Sequence, residues 1–244
     1  LFRSLVQERN KFLTNLKHKL MKGPLFYAKI LLFGEYGIIK DSKGLSIPYN
    51  FYNGALKVDE DPSEAAIASN KSLSRFADYL GELQENNPEL VQFDLAKLKA
   101  DIEKGMYFHS TIPQGYGVGS SGALVEAIYD KYAIGKITVL ENLTRDKLLK
   151  LKKIFGEMES FFHGVSSGMD PLNSYMRNPL LIKPDHHIEP VGIPREFSNE
   201  GGIFLINTGK PGKTGPLVSL FFDQCKQESF KKLIYDEMIP FTNQ

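Results

Sequence analysis

The sequence predicts an α+β fold in two lobes, and three observations carry that reading. Short apolar runs separated by turn residues fill residues 24–58, helical periodicity dominates the middle of the chain, and a proline-rich break from Pro184 sets off the C-terminal part. With 244 residues, 42% of them hydrophobic and 24% charged, the chain can bury a sizeable core and is too ordinary in composition for a disordered or rod-like protein.

Taken in order, the runs in 24–58 are rich in Ile, Leu, Phe and Tyr and are broken by glycine, Asp41-Ser-Lys-Gly44 and Tyr49-Asn50, which reads as a β-meander. Asp61-Pro-Ser-Glu64 is a capped helix start. Ala65, Ala66, Ile67, Leu73, Phe76, Ala77 and Leu80 then supply one apolar face, so a helix is predicted over 62–80 with Gly81 ending it. A polar loop at Asn86-Asn87-Pro88 precedes a helix near 92–103 and a strand at Met106–Thr111. From Ser120, the spacing of Ala123, Leu124, Ala127, Ile128 and Tyr132 predicts a helix to about Ala133, and Thr144 opens another toward Phe155. Residues 157–177 read as helix, Gly-Val-Ser-Ser-Gly turn and short helix, followed by a strand at Leu180–Lys183. Pro184 to Glu200 is the expected linker, Gly202–Asn207 a strand, and Leu217–Gln224 and Gln227–Met238 helices. No internal repeat interrupts this order.

Charge and cysteine content narrow the function. Thirty basic residues against 29 acidic ones are too balanced for a protein whose main task is to hold nucleic acid. The single Cys225 excludes an internal disulfide framework and a cysteine-built zinc site, and it fits a reducing, cytoplasmic setting. No apolar run reaches membrane-spanning length. Residues 1–20 form a basic, amphipathic stretch set apart from the body as an extension of uncertain origin. The chain begins with Leu, and Met21 reads as the native start. Without this stretch the body is slightly acidic.

Four clusters carry chemistry. The first is Pro113-Gln-Gly115-Tyr-Gly117-Val118-Gly119-Ser120-Ser121-Gly122-Ala123, glycines at alternate positions leading into serines and a helix. Such a loop brings backbone N–H groups and the positive end of a helix dipole to a phosphate, and a serine hydroxyl there can bond phosphate or Mg²⁺. A plain glycine turn with serine capping is the other reading. The second, Asn207-Thr208-Gly-Lys-Pro211-Gly-Lys213-Thr214, nearly spells a P-loop, but the first glycine is missing and Pro211 removes a donor. A loop lining the cleft is the better expectation. The third is Glu159-Ser-Phe-Phe-His163-Gly-Val-Ser-Ser-Gly168-Met-Asp170-Pro171, with carboxylates of the kind that hold Mg²⁺ or take a hydroxyl proton; a solvent-facing helix pair and a helix cap are the plainer readings. The fourth is Lys29-Ile-Leu-Leu-Phe-Gly34-Glu35-Tyr36-Gly37, where a lysine inside an apolar strand needs either a partner or a route to water. His186-His187 lacks spaced partners and reads as an exposed loop rather than a metal site.

In this order, Lys29…Gly34-Glu35-Tyr36-Gly37, Pro113–Ala123 and Glu159…His163-Gly…Ser167-Gly168-Met169-Asp170, the sequence resembles the GHMP small-molecule kinases, and within them the mevalonate kinases. The resemblance runs from about Leu25 to the C-terminus. It implies a β-rich N-lobe of the ribosomal protein S5 domain 2-like type over 21–184 and a partial α+β C-lobe over 185–244. It further implies an ATP-dependent, Mg²⁺-requiring kinase of a small hydroxyl-bearing metabolite, mevalonate or a similar hydroxy acid, with a homodimer left open. In those terms Asp170 is the catalytic carboxylate, with Lys29 beside it. Pro113, Gly115, Gly117, Val118, Gly119, Ser120 and Ser121 wrap the nucleotide phosphates, and Ser121 and Glu159 ligate Mg²⁺. Glu35, Tyr36, His163 and Thr208 line the acceptor pocket.

Two departures stand out: Tyr36 occupies a position where mevalonate kinases usually carry histidine, and the family's third glycine-rich motif is absent before Gln244, so the C-lobe is expected to be incomplete. Phosphomevalonate, galactose and homoserine kinases of the same superfamily, a non-catalytic ligand sensor of the same fold, and a P-loop NTPase acting through Lys213 are the competing functions.

Overall fold

The computed structural model describes residues 23–139, 143–185, 187–192, 205–206, 209–212 and 214–244. An antiparallel hairpin of β1 (Phe26–Phe33) and β2 (Gly44–Lys57), joined through a 3-10 turn at Gly37–Lys40, is the frame of the sheet. β2 is 14 residues long, enough for two partners along the edge opposite β1. Its start pairs with β6 (Leu180–Lys183) and its end with β4 (Tyr107–Ser110), while β7 (His187–Pro190) extends the sheet beyond β6. A second, two-stranded ladder joins β3 (Gln92–Phe93) to β5 (Ala133–Ile134). Together with the helices this is the α+β class that the sequence predicts.

Five helices complete the body: α1 (Glu64–Asn86), α2 (Leu95–Glu103), α3 (Ser120–Tyr132), α4 (Arg145–His163) and α5 (Met169–Met176), of which α1, α3 and α5 pack on the sheet. α3 is central because it is apolar on both sides. Ala123 and Ala127 meet Phe26, Ala28 and Phe108 of the sheet. Val125, Ile128 and Tyr129 join Leu73, Phe76, Leu80, Leu151, Phe155 and Leu172 in the larger helical core. A helix with no solvent face is necessarily internal, which is why so many α3 residues are buried. The C-terminal segment adds α6 (Thr214–Gln224), α7 (Glu228–Lys232) and α8 (Ile239–Thr242), with a π-helical turn at Leu233–Met238 between the last two. It touches the body through a Tyr36–Phe221 ring stack at 5.2 Å and through Asn243, whose side-chain oxygen accepts from the Lys43 N–H at 2.7 Å. No helix among the described residues is long and apolar enough to cross a membrane.

The starts of the first five helices divide into two kinds. Ser63, Asp94 and Thr144 cap α1, α2 and α4 with side-chain oxygens that accept from Ala66, Lys97 and Lys147 N–H groups. α3 and α5 instead begin at Gly119 and Gly168, both left-handed and without a capping side chain. These two starts carry the serines and the aspartate singled out by the sequence.

Several boundaries differ from expectation. α1 runs through Gly81 to Asn86, because Leu83 continues the buried stripe and packing outweighs the modest cost of a mid-helix glycine. The helices predicted on either side of Gly156 are one helix, α4; Gly156 is a contact point, where a side chain would lie 3.0 Å from Ser166 O. β7 falls inside the expected linker and is hydrogen-bonded to β6. Residues 1–20, His186 and most of the strand predicted at Gly202–Asn207 lie outside the described residues, and Leu205 and Ile206 form no strand.

Phe155 is fully buried, edge-on to Tyr129 at 5.0 Å and to Tyr175 at 5.5 Å. Phe155→Ala is expected to cost about 3–5 kcal/mol in urea unfolding; a loss below about 1 kcal/mol would show that this aromatic cluster does not hold α3, α4 and α5 together.

Candidate active site

Lys29 sits in the middle of β1 with 7% of its surface exposed. An ammonium so placed must find a counter-charge, and its Nζ lies 2.9 Å from Asp170 Oδ1 in the first turn of α5. Two hydrogen bonds hold α5 in place for that contact. Ser174 Oγ donates to Tyr27 O at 2.7 Å and Asn173 Nδ2 to Ser46 O at 3.1 Å.

The glycine loop passes directly over the lysine stem. Lys29 N–H donates to Val118 O at 3.0 Å, and a Cβ on Gly119 would stand 2.9 Å from Lys29 Cγ. With φ at 79°, position 119 also lies where L side chains are strained, so glycine is required there on both grounds. Gly122 plays the matching part against α5, for a side chain there would meet Pro171 N at 2.8 Å. The start of α3 is thereby pressed between β1 and α5. Its first-turn N–H groups have no capping side chain, a donor set and dipole end suited to an anion.

Beside this start lies a second polar cluster. Ser121 Oγ donates to Glu159 Oε1 at 2.8 Å and is 3.0 Å from His163 Nε2. Glu159 Oε2 accepts from Ser166 Oγ at 2.6 Å. Burial, reinforced by the negative charge of Asp170 and opposed by the two serines and Lys29, raises the Glu159 carboxyl to about 7. Hydroxyl and carboxylate oxygens are the ligands Mg²⁺ takes, and a carboxylate so raised gains from a nearby cation. Ser121 and Glu159 could therefore hold that ion if phosphate and water complete its shell. Among the described residues no group of three or more His, Cys, Asp or Glu side chains could hold a metal ion.

The structure thus brings Lys29, Val118, Gly119, Ser121, Glu159, His163 and Asp170 together, with Ser120 on the same turn. Pro113, Gly115 and Gly117 belong to the approaching loop, and Gly115 O accepts from Gly212 N–H at 2.7 Å, so part of the second cluster docks on the first. Glu35 is exposed beyond the end of β1, and Tyr36 stacks on Phe221 of α6. Thr208 and Lys213 lie outside the described residues. Ser166 carries no expected role in the sequence reading; the doubled serine before Gly168 is its one signal.

Glu159 also makes stability pH-dependent. Between the ordinary glutamate value of 4.5 and about 7 the folded chain keeps a proton that the unfolded chain releases, so stability falls as pH rises through that window. Glu159→Gln, which cannot ionise, is expected to gain about 3 kcal/mol on the wild type between pH 5 and pH 8 in denaturant titrations without divalent cation. A gap that stays constant with pH would contradict the raised value.

Residues 78–178 match the family model described as GHMP kinases N terminal domain. No curated protein matches the chain in sequence. Among solved structures, that of L. major mevalonate kinase in complex with R-mevalonate superposes with a TM-score of 0.53 at 17% identity, covering 88% of this chain and 65% of that one. This chain thus spans under two thirds of the length of that kinase. Residues 78–178 are thus similar in sequence to the N-terminal domain of the GHMP kinases, and the fold of the chain is like that of the mevalonate kinase structure.

Proposed function

We propose that this protein serves as an ATP-dependent small-molecule kinase, transferring the terminal phosphoryl group of ATP to a metabolite hydroxyl, with mevalonate as the acceptor. The observation that carries the reading is the Lys29–Asp170 pair at 2.9 Å under the uncapped start of α3. Phosphoryl transfer needs little covalent chemistry from a protein; it needs positioning and charge stabilisation. The N–H groups of Ser120, Ser121 and Gly122 are free of side-chain caps and can take phosphate oxygens. Asp170 accepts the proton of the attacking hydroxyl as the new O–P bond forms and ADP departs. Lys29 balances the carboxylate and the charge of the transferring group. Ser121 and Glu159 would hold Mg²⁺, which would supply charge neutralisation on the phosphate oxygens.

Mevalonate as acceptor is supported by the fold likeness and by the order of the sequence motifs. Tyr36, which stacks on Phe221, stands where that kinase type usually carries histidine, and this departure counts against mevalonate rather than for it. A cytoplasmic setting is supported by the single cysteine.

The test is ADP release from MgATP with mevalonate, phosphomevalonate, galactose and homoserine in parallel, for wild type, Asp170→Asn and Lys213→Ala. Turnover with mevalonate that drops about 10²–10⁴-fold in Asp170→Asn supports the reading. Wild-type turnover in that variant rejects it, and a loss confined to Lys213→Ala assigns the activity to the P-loop-like segment instead.

A further inference from the structure

Glu159 is almost fully buried at 3% exposure, and its two carboxylate oxygens go to different serines. Oε1 accepts from Ser121 on α3, and Oε2 from Ser166 in the loop between α4 and α5. Ser166 does more than fill a lone pair. The same Oγ accepts from Gly168 N–H at 3.1 Å, the residue from which α5 and Asp170 begin.

The loop has its own independent anchor. Ser166 N–H donates to Ser160 Oγ at 3.2 Å, and Ser160 Oγ donates to Gly156 O at 2.8 Å, so the backbone of the loop is tied to α4 without the Ser166 side chain. Close packing completes the fit: a Cβ on Gly168 would lie 2.1 Å from Lys152 O, and one on Gly156 3.0 Å from Ser166 O. Backbone and glycines place the loop. The Ser166 hydroxyl is then left to orient the carboxylate.

We propose that Ser166 is a positioning residue whose hydroxyl fixes Glu159 Oε2 to the root of α5, keeping Oε1 on Ser121 so that the two oxygens form a preset ligand pair for a nucleotide-bound divalent cation. This rests on the kinase reading of the site. Without the Ser166 hydroxyl, Oε2 and Gly168 N–H both lose a partner, and the carboxylate can turn about its terminal bond away from Ser121. Groups that orient a metal ligand in this way are worth about 10–100-fold in metal affinity.

The experiment is Mn²⁺ binding in the presence of ADP, followed by electron paramagnetic resonance on the full chain, for wild type, Ser166→Ala, Ser166→Cys, Ser166→Thr and Glu159→Gln. The expected result is a loss of at least tenfold in Mn²⁺ affinity for Ser166→Ala and Ser166→Cys, with Ser166→Thr, which keeps the hydroxyl, close to wild type. Cysteine is nearly isosteric and only a weak donor, so it carries the test should the alanine variant not fold. Wild-type affinity in a folded Ser166→Ala or Ser166→Cys protein, alongside a loss in Glu159→Gln, overturns the role of Ser166 alone. Equal affinity in wild type and Glu159→Gln, or no Mn²⁺ binding in either, overturns the metal site beneath it and this proposal with it.

Discussion

A lysine ammonium placed inside a β-strand has to be neutralised where it stands, and much of this molecule is arranged to meet that demand. Lys29 is buried in β1, and its partner Asp170 arrives from a helix that begins well over a hundred residues later. For the two to meet at 2.9 Å, α5 must lie against the hairpin, which Ser174 and Asn173 secure by bonding to β1 and β2 backbone carbonyls. α3 must then fit between them with almost no room, hence glycine at 119 and 122. Removing one member of a buried pair costs about 3–5 kcal/mol; with 37% of the Asp170 side chain exposed, water lowers that figure here. Under the proposed kinase reading the exposure has a use, for a carboxylate that takes a proton from a substrate needs an open side.

The contrast between capped and uncapped helices separates scaffold from site. Where a helix only supports the core, a serine, aspartate or threonine satisfies its first N–H groups and closes that end to ligands. Where α3 starts at left-handed Gly119, the chain reaches the helix without placing a side chain over the end; α5 also starts at a left-handed glycine, Gly168, with Ser167 Oγ accepting from Met169 N–H at 3.4 Å. Two helix starts of this kind converge on one lysine and one buried glutamate. Positive backbone dipoles, an ammonium and a carboxylate held near neutrality by burial together favour a polyanion carrying a divalent cation.

The sequence reveals the parts of this arrangement whose residue types are unusual for their surroundings. A lysine in Lys29-Ile-Leu-Leu-Phe is out of place in an apolar strand, whereas the three alternate glycines before Ser120 and the Glu159–His163 pair, each readable as a plain turn or an exposed helix face, become informative only in combination and order. Less visible are features set by tertiary contact. Gly81 looks like a helix end until Leu83 is seen in the core, and Gly156 looks like a break until the Ser166 loop is found resting on it. β7 is hidden among prolines because its strand character comes from β6, not from its own composition. Ser166 stands in plain view beside Ser167, but only distance distinguishes a hydroxyl aimed at a buried carboxylate from one aimed at water.

If the kinase reading holds, a nucleotide's terminal phosphate belongs above the start of α3, within reach of Lys29 and Asp170. The decisive measurement is a crystal structure with Mg²⁺ and a non-hydrolysable ATP analogue. The phosphates are expected along residues 115–121, with the cation against Ser121 and Glu159. Phosphates found instead on residues 207–214, with Lys29 and Asp170 still paired and remote from the ligand, would overturn that placement and the mechanism built on it.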